Sequence, residues 1–269
     1  MPSRETKKAL IVARTYPIPA KSGVEISCTA AITDDGNWLR LHPVPYRFLD
    51  NDKRFAKYQW IEVEITKASD FRLESYKPNI HSIKILTEPL STKNEWDARK
   101  QFIFPLRAQS LCYLQRERDT NKHPTLGFFR PKIIKRLRIT PATPTWTQGQ
   151  LDMLRHGKLF ESGPLTELEK IPHYFTYFFH CDDDACKGHS LHCTDWEMGQ
   201  SWRSWTKEYG ENWEAKFRQK YETEMIGQKD LHFFVGTTQE RPHVWIIIGL
   251  FYPPKPKAVA TAKAPSLFD

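Results

Sequence analysis

Apolar positions recur with a period of two along the first third of the 269-residue chain, and with a period near three and a half further on. Residues 8–14 (KALIVAR) form an unbroken apolar run, the pattern of a strand buried on both faces. Segment 15–23 holds two prolines and a glycine, so it must leave that strand as a loop. Residues 24–33 and 38–44 read as strands joined by Asp34-Asp35-Gly36-Asn37, and Asp-Gly between apolar runs predicts a hairpin. Residues 58–67 (YQWIEVEITK) alternate and predict a half-buried strand, and 80–86 is a further candidate. Strands packed so densely predict a small N-terminal β-barrel or curled sheet.

The middle changes period. Residues 95–101 and 106–119 read as helices parted by Pro105, 126–140 as extended chain, 141–144 as a turn and 148–156 as a short helix. A strand over 173–180 precedes a cysteine-rich segment. Beyond it Trp202, Trp205, Tyr209, Trp213, Phe217, Tyr221 and Met225 recur every three or four residues, which predicts one helical stripe facing the core, broken near Gly210. Strands 231–236 and 244–252 close the pattern, and the Pro/Lys/Ala composition from Pro253 predicts a disordered tail. The expected class is α+β. A β-rich unit spans 1–90, an α+β unit with a basic strand and a zinc-stapled strand/helix region spans 91–252 (separate from the first or continuous with it), and a tail spans 253–269.

Composition narrows the function. Aromatic residues at 13% exclude a disordered chain. Lys and Arg exceed Asp and Glu by 40 to 32, a net charge of +8, which favours a polyanionic partner. No apolar run nears the ~20 residues of a membrane span, and the charged N-terminus lacks the apolar stretch of a signal peptide. The cysteine count is five, three of them between 181 and 193, so reduced thiols in a cytoplasmic protein are expected rather than disulfides. The positive charge is also clustered. No Asp or Glu occurs from Thr120 to Leu151, a stretch that carries Lys122, Arg130, Lys132, Lys135, Arg136 and Arg138. Strict alternation would set Lys132, Ile134, Arg136 and Arg138 on one face, available to phosphates, and Ile133, Lys135, Leu137 and Ile139 on the other.

The segment from Cys181 to Cys193 has the spacing C-x4-C-x2-H-x3-C. Four soft or borderline ligands a few residues apart suit one tetrahedral Zn2+, so Cys181, Cys186, His189 and Cys193 are the expected structural zinc ligands, with His192 or His180 as substitutes. Gly188 permits the turn. In the Thr194-Asp195-Trp196-Glu197 run that follows, Thr194 and Glu197 match a capping box opening a helix. A Glu beside a catalytic zinc is the weaker reading, because four protein ligands leave no open position.

A second constellation lies in the first third. Arg14, Tyr16 and Lys21 follow the first strand, the hairpin supplies Glu25, Cys28, Arg40 and His42, and Tyr46 and Arg47 come just after it. Asp70 and Glu74 follow downstream in DFRLESY. These side chains are the types that grip phosphate, stack on a base and handle a proton. Glu25 shares a strand face with Ser27, and a carboxylate on an inner face needs either a partner such as Arg14 or Arg40 or a chemical use.

Arg14-Thr15-Tyr16-Pro17, Glu25 with Cys28-Thr29-Ala30, Arg40-Leu41-His42-Pro43-Val44-Pro45-Tyr46-Arg47, Asp70 to Tyr76, and the cysteine segment running into Asp195-Trp196-Glu197 together resemble a largely uncharacterised prokaryotic family, over nearly the whole chain. Its general look is similar to anti-phage defence proteins, and to a defence DNA glycosylase that removes modified bases. The resemblance implies a DNA-acting enzyme that flips a base of modified phage DNA into a pocket. Tyr16 or Tyr46 would stack on the base, Glu25, Asp70 or Glu74 would stabilise the sugar cation or activate water, and Arg14, Arg40 and Arg47 would hold phosphates. Two rivals stand beside it: a non-catalytic DNA or RNA reader whose small barrel cages a base, and a metal-dependent nuclease using Asp70, Glu74, Asp195 and Glu197.

Overall fold

A computed structural model describes residues 4–21, 25–158 and 166–256. The expected tail beyond 256, the first three residues and part of the first loop (22–24) lie outside the described residues.

The first third forms β1 (Arg4–Arg14), β2 (Ile18–Pro19), β3 (Glu25–Thr33), β4 (Trp38–Val44), β5 (Trp60–Lys67), β6 (Ser75–Pro78) and β7 (Lys84–Ile85). Five of these run in the order β1-β3-β4-β6-β5, and β5 pairs back onto β1 from Arg4↔Thr66 to Leu10↔Trp60, which closes a barrel. All barrel contacts are antiparallel except β4 with β6, where Arg40 lies opposite Ser75. This is the five-stranded Greek-key arrangement of an OB-type barrel. The predicted hairpin turn is present, with Gly36 at φ +81°, a conformation that a side chain would strain.

The unbroken apolar run in β1 follows from burial on both faces. Ala9 and Ile11 point into the barrel with Leu39, Leu41, Ile61, Val63 and Ile65. Leu10, Val12 and Ala13 point outward with Ala30 and Ile32, and pack on Phe128, Phe234, Ile248 and Phe251 of a second sheet. That sheet contains β8 (Arg107–Ala108), β9 (Leu126–Phe129), β10 (Ile133–Pro141), β11 (His173–His180), β12 (His189–Cys193), β13 (His232–Thr237) and β14 (Trp245–Phe251), in the order β10-β11-β12-β14-β13-β9-β8.

Helices α1 (Lys93–Ile103), α2 (Leu111–Asn121), α3 (Gln148–Lys158), α4 (Trp196–Tyr209), α5 (Trp213–Arg218) and α6 (Met225–Gln228) complete the fold. The aromatic stripe is core except at Tyr209, which is exposed. Trp202, Phe217, Tyr221 and Met225 are buried with Phe175, Tyr177 and Phe233 of the second sheet, and Gly210 breaks the helix at φ +54°.

Four local expectations change. The helix expected from 106 starts at Leu111, because the Ser110 hydroxyl caps it by accepting from Tyr113 N–H at 2.9 Å, while Arg107 and Ala108 pair with β9. Only Lys84 and Ile85 of 80–86 form a strand, after a 3-10 turn at Ile80–Ser82. Helix α4 is capped by Asp195, not Thr194: its carboxylate accepts from Glu197 N–H at 2.6 Å and Met198 N–H at 3.1 Å, and the Thr194 hydroxyl is turned to Ile247 O. In β10 a bulge falls between Ile134 and Arg136. Ile134 pairs with Phe179 and packs inward, whereas Arg136 pairs with Phe178 on the outer face. The extra residue, Lys135, therefore breaks the expected common face of Lys132, Ile134, Arg136 and Arg138.

Barrel and sheet are stitched together by buried polar groups. Arg40 on β4 donates to Thr237 O at 2.6 Å and Thr125 O at 2.7 Å, and Arg72 donates to Thr237 O at 3.2 Å. Beside them Tyr16 N–H donates to Thr194 O at 2.7 Å.

Candidate functional site

The cysteine segment is a tight connection between β11 and β12. Cys181 follows β11 directly, the chain turns through Asp182 to Gly188, and His189 opens β12. Gly188 sits at φ +93° against the His180 ring, where a Cβ would lie 3.0 Å from Nε2. The Cys181 N–H donates to Cys186 Sγ at 3.2 Å. The fourth group is not Cys193. It is Cys112, in the first turn of α2, whose Sγ lies 3.1 Å from His189 Nε2. Cys112, Cys181, Cys186 and His189 bring their ligand atoms within 4.8 Å of one another, so they can hold a metal ion.

Strand geometry explains the correction. Four residues of β12 separate Cys193 from His189 by roughly 13 Å, too far to share an ion. Cys193 instead faces the core, fully buried, and burial pushes its thiol well above the usual range. His192 points to the opposite face of β12, with Nδ1 3.2 Å from Phe175 O, and His180 packs on Gly188; neither belongs to the cluster.

The surroundings suit a cation. Burial, with the Cys181 and Cys186 thiols alongside, pushes the Cys112 thiol up to about 12. Burial also raises Cys181, although the N–H groups of Cys112 and Leu111 at the start of α2 point at it. A cation among these sulfurs replaces thiolate repulsion with attraction, as it does at any coordinating thiol. Asp183 ties the turn to α2 by accepting from Arg116 Nη2 at 2.9 Å and Ser110 Oγ at 3.5 Å, which fixes Cys112 relative to the other three.

A second feature lies between the barrel and the second sheet. A cavity of about 610 Å3 opens on the β3–β4 face of the barrel, lined by the 15–21 loop, Ile26, Cys28, Arg40, His42 and Arg72, by Thr237 to Glu240, by Ile246 and Ile248, and by Gln150 and Met153 of α3. Burial, together with the Arg72 and Arg40 charges, lowers the His42 pKa, which keeps its imidazole neutral at pH 7. Burial raises the Cys28 thiol.

The expected N-terminal constellation divides between this wall and the framework. Tyr16, Lys21, Arg40 and His42 line the cavity. Arg14 does not: its guanidinium lies 3.3 Å from the Tyr46 ring centroid and 4.4 Å from that of Trp196, in a stack that ties the barrel to α4. Tyr46 donates to Phe55 O at 2.8 Å, and Tyr16 to Glu169 O at 2.7 Å. The three candidate carboxylates lie outside the described cavity lining. Glu25 is buried against Arg47, 3.1 Å away, rather than Arg14 or Arg40. Asp70 pairs with Arg72 at 2.6 Å, and Glu74 accepts from Thr125 N–H and hydroxyl at 2.8 and 2.6 Å. Asp195 is buried between the α4 N-terminus, Leu250 N–H and Lys57, and burial raises its pKa. Asp70, Glu74, Asp195 and Glu197 form no metal-binding group among the described residues. Lys132 pairs with Asp182 at 2.7 Å, whereas Arg136 and Arg138 lie over the ring of Phe178.

Cys112, Thr237 and Glu240 escaped sequence reasoning because each reaches its site through long-range packing. The local trace of Cys112 was its place among five cysteines behind a capping Ser.

Fold and site define an α+β protein with an OB-type barrel, a second sheet and a Cys/His group able to bind metal. No helix among the described residues is long and apolar enough to cross a membrane. Residues 107–269 match the family described as "Domain of unknown function (DUF8757)", and residues 5–105 match "Domain of unknown function (DUF8758)". The chain belongs to the DUF8757 family, whose match covers more than half of it. A search of curated proteins returned no match.

Proposed function

We propose that this protein binds nucleic acid and takes an unstacked base into the cavity on the β3–β4 face of its barrel, with Zn2+ held structurally by Cys112, Cys181, Cys186 and His189. The observation that carries the reading is the cavity's position. The second and third strands of an OB-type barrel, with the loop after its first strand, form the face that takes oligonucleotides, and here β3, β4 and the 15–21 loop line the cavity. Its volume of about 610 Å3 falls in the ordinary range for small-molecule sites. Tyr16, Lys21 and His42 supply stacking and polar contacts, and Arg40 and Arg72, hydrogen-bonded to the framework, lend the wall positive charge. Three thiols and an imidazole are a closed donor set for tetrahedral Zn2+ and leave no position for catalytic water.

The geometry favours reading a base over excising it. Glu25, Asp70 and Glu74 are engaged in the framework, and the carboxylate among the described lining residues is Glu240, exposed at the rim. The biological setting that fits is the anti-phage defence implied by the sequence motifs, with modified DNA as the ligand.

Ile18, 57% exposed at the cavity mouth, provides the test, since a charge there leaves the core untouched. Ile18→Glu should weaken binding of a labelled four-nucleotide single strand at least about tenfold, the order of one lost base contact, measured by fluorescence anisotropy. Unchanged affinity would refute the cavity as the base site. Incubation with modified phage DNA followed by mass spectrometry should find every base still attached. Released base would overturn the reader and reinstate excision, with Glu240→Gln the first variant to assay.

A further inference from the structure

The second sheet carries a face that neither the cavity nor the metal group uses. On the outer side of β10, β11 and β12, Arg136 lies opposite Phe178, Arg138 opposite Thr176 and Thr140 opposite Tyr174. Across β11, Phe178 faces Ser190 and Thr176 faces His192. The Arg136 and Arg138 guanidinium carbons lie 4.8 and 4.3 Å from the centroid of the Phe178 ring. Neither arginine is engaged by a carboxylate among the described residues. The acid beside the strand, Glu222, is held by Leu137 N–H and Arg218. Roughly 13 Å along β11 from Phe178, Tyr174 is 52% exposed, its ring set edge-on to His192 at 5.2 Å.

An aromatic ring whose centroid lies within 4.8 Å of two guanidinium carbons holds both cations at the strand surface by cation–π attraction. A planar cation so held stacks on a base and also forks to a phosphate, which a lysine ammonium cannot do. Tyr174 adds an open ring further along the strand. The face then runs into a smaller cavity of about 150 Å3 lined by Tyr174, His192, Trp146, Lys170 and Tyr16, and this cavity shares Tyr16, Ile18 and Thr194 with the larger one. The basic face, the small cavity and the base site therefore lie next to one another, with Tyr16, Ile18 and Thr194 in the walls of both cavities.

We infer that the outer face of β10–β12 is a stacking platform for a single-stranded nucleic acid, which leads the strand past Tyr174 to the barrel cavity. The inference rests on the base-binding reading of that cavity and extends it. Unpaired bases are what guanidinium groups and an open tyrosine ring stack on; a duplex keeps its base faces stacked inside and offers phosphates and groove edges.

The test measures anisotropy with thymidine oligonucleotides of 4, 8 and 16 nucleotides, uridine oligoribonucleotides of the same lengths, and a 16-base-pair duplex. Affinity, divided by the number of four-nucleotide registers each strand offers, should rise at least about tenfold from 4 to 16 nucleotides, one stacked base or more, and the duplex should bind more weakly than the single strand. The Arg136→Lys/Arg138→Lys double variant keeps the charge and loses the planes. That variant and Tyr174→Ala should each abolish the gain with length while leaving 4-mer affinity unchanged. Either sugar supports the platform, the tighter one naming its natural source. A length gain that survives in both variants, or tightest binding by the duplex, overturns it. A cavity failure looks different: Ile18→Glu would then leave the 4-mer untouched while the platform variants still erased the length gain.

Discussion

Cys112 and Cys193 have opposite fates, and the pair gives a direct test of the metal group. Cys112→Ser should lose the ion and, because metal binding is coupled to folding, destabilise the protein. Cys193→Ser should retain about one metal ion per chain, the stoichiometry of a four-ligand site, at the cost of a hydroxyl in the core. Metal analysis of both variants, purified without chelator, decides it, and full metal content in Cys112→Ser would refute the assignment. The spacing of Cys181, Cys186 and His189 was legible because those ligands share one turn, whereas Cys112 arrives by a tertiary contact with no local period. Glu25 belongs to the same scale. Its partner is Arg47, so Glu25→Gln should lower the urea midpoint and leave 4-mer affinity of the folded fraction intact; a large affinity loss at unchanged stability would return this carboxylate to the binding site. His232 yields a pH prediction. Burial against Phe128 lowers its pKa to about 4. The unfolded imidazole titrates near 6.5, so below that pH the unfolded chain takes up a proton that the folded chain excludes. Stability should be full above about pH 6.5 and fall as pH drops toward about 4, by on the order of 3 kcal/mol at roughly 1.4 kcal/mol per unit. Urea midpoints at several pH values should show a steeper fall for the native protein than for His232→Gln; parallel curves would refute it.

Elements were legible where period and burial agree. β1, β3, β4, β5 and β11 follow their apolar patterns, and the helical stripe from Trp202 to Met225 faces the core except at Tyr209. Elements of two to four residues, such as β2, β6, β7 and β8, carry too little pattern to read and exist through their pairing. β10 failed in a different way: its alternation was correct on each side of Lys135, but a bulge shifts the phase between the halves. The joint between barrel and sheet also depends on single side chains. Arg40→Ala would take the Arg40 donor from the Thr125 and Thr237 carbonyls, leaving Thr237 N–H on the first and Arg72 on the second, at about 1–3 kcal/mol for the lost bonds to a charged group. Breaking the exposed Lys132–Asp182 pair with Lys132→Ala should cost under about 1 kcal/mol. Comparable losses in urea unfolding of the two variants would show that the joint does not depend on Arg40.

At the scale of the molecule, the barrel has no free edge because β5 returns to β1, and the second sheet ends at β8 on one side and at β10 on the other. Part of that last edge is covered, since Leu137 donates to Glu222 and accepts from Arg218 on the helical segment beside it. Strand density predicted a small barrel. The parallel contact of β4 with β6, and the cavity between barrel and sheet, depend on pairings distant in sequence that no local window contains.

The metal group spans a long stretch of chain, and that separation has a consequence in time. Cys112 precedes Cys181 by 181 − 112 = 69 residues. At a synthesis rate of roughly 5–20 residues per second, the helix bearing Cys112 leaves the ribosome several seconds before its partners exist. The barrel, complete by Pro78, has its whole set of strands long before then. Ion capture by this group would therefore be a late event in the life of the nascent chain: it would require that the second sheet has reached α2, so a shortage of metal would act on the second half of the chain rather than on the barrel.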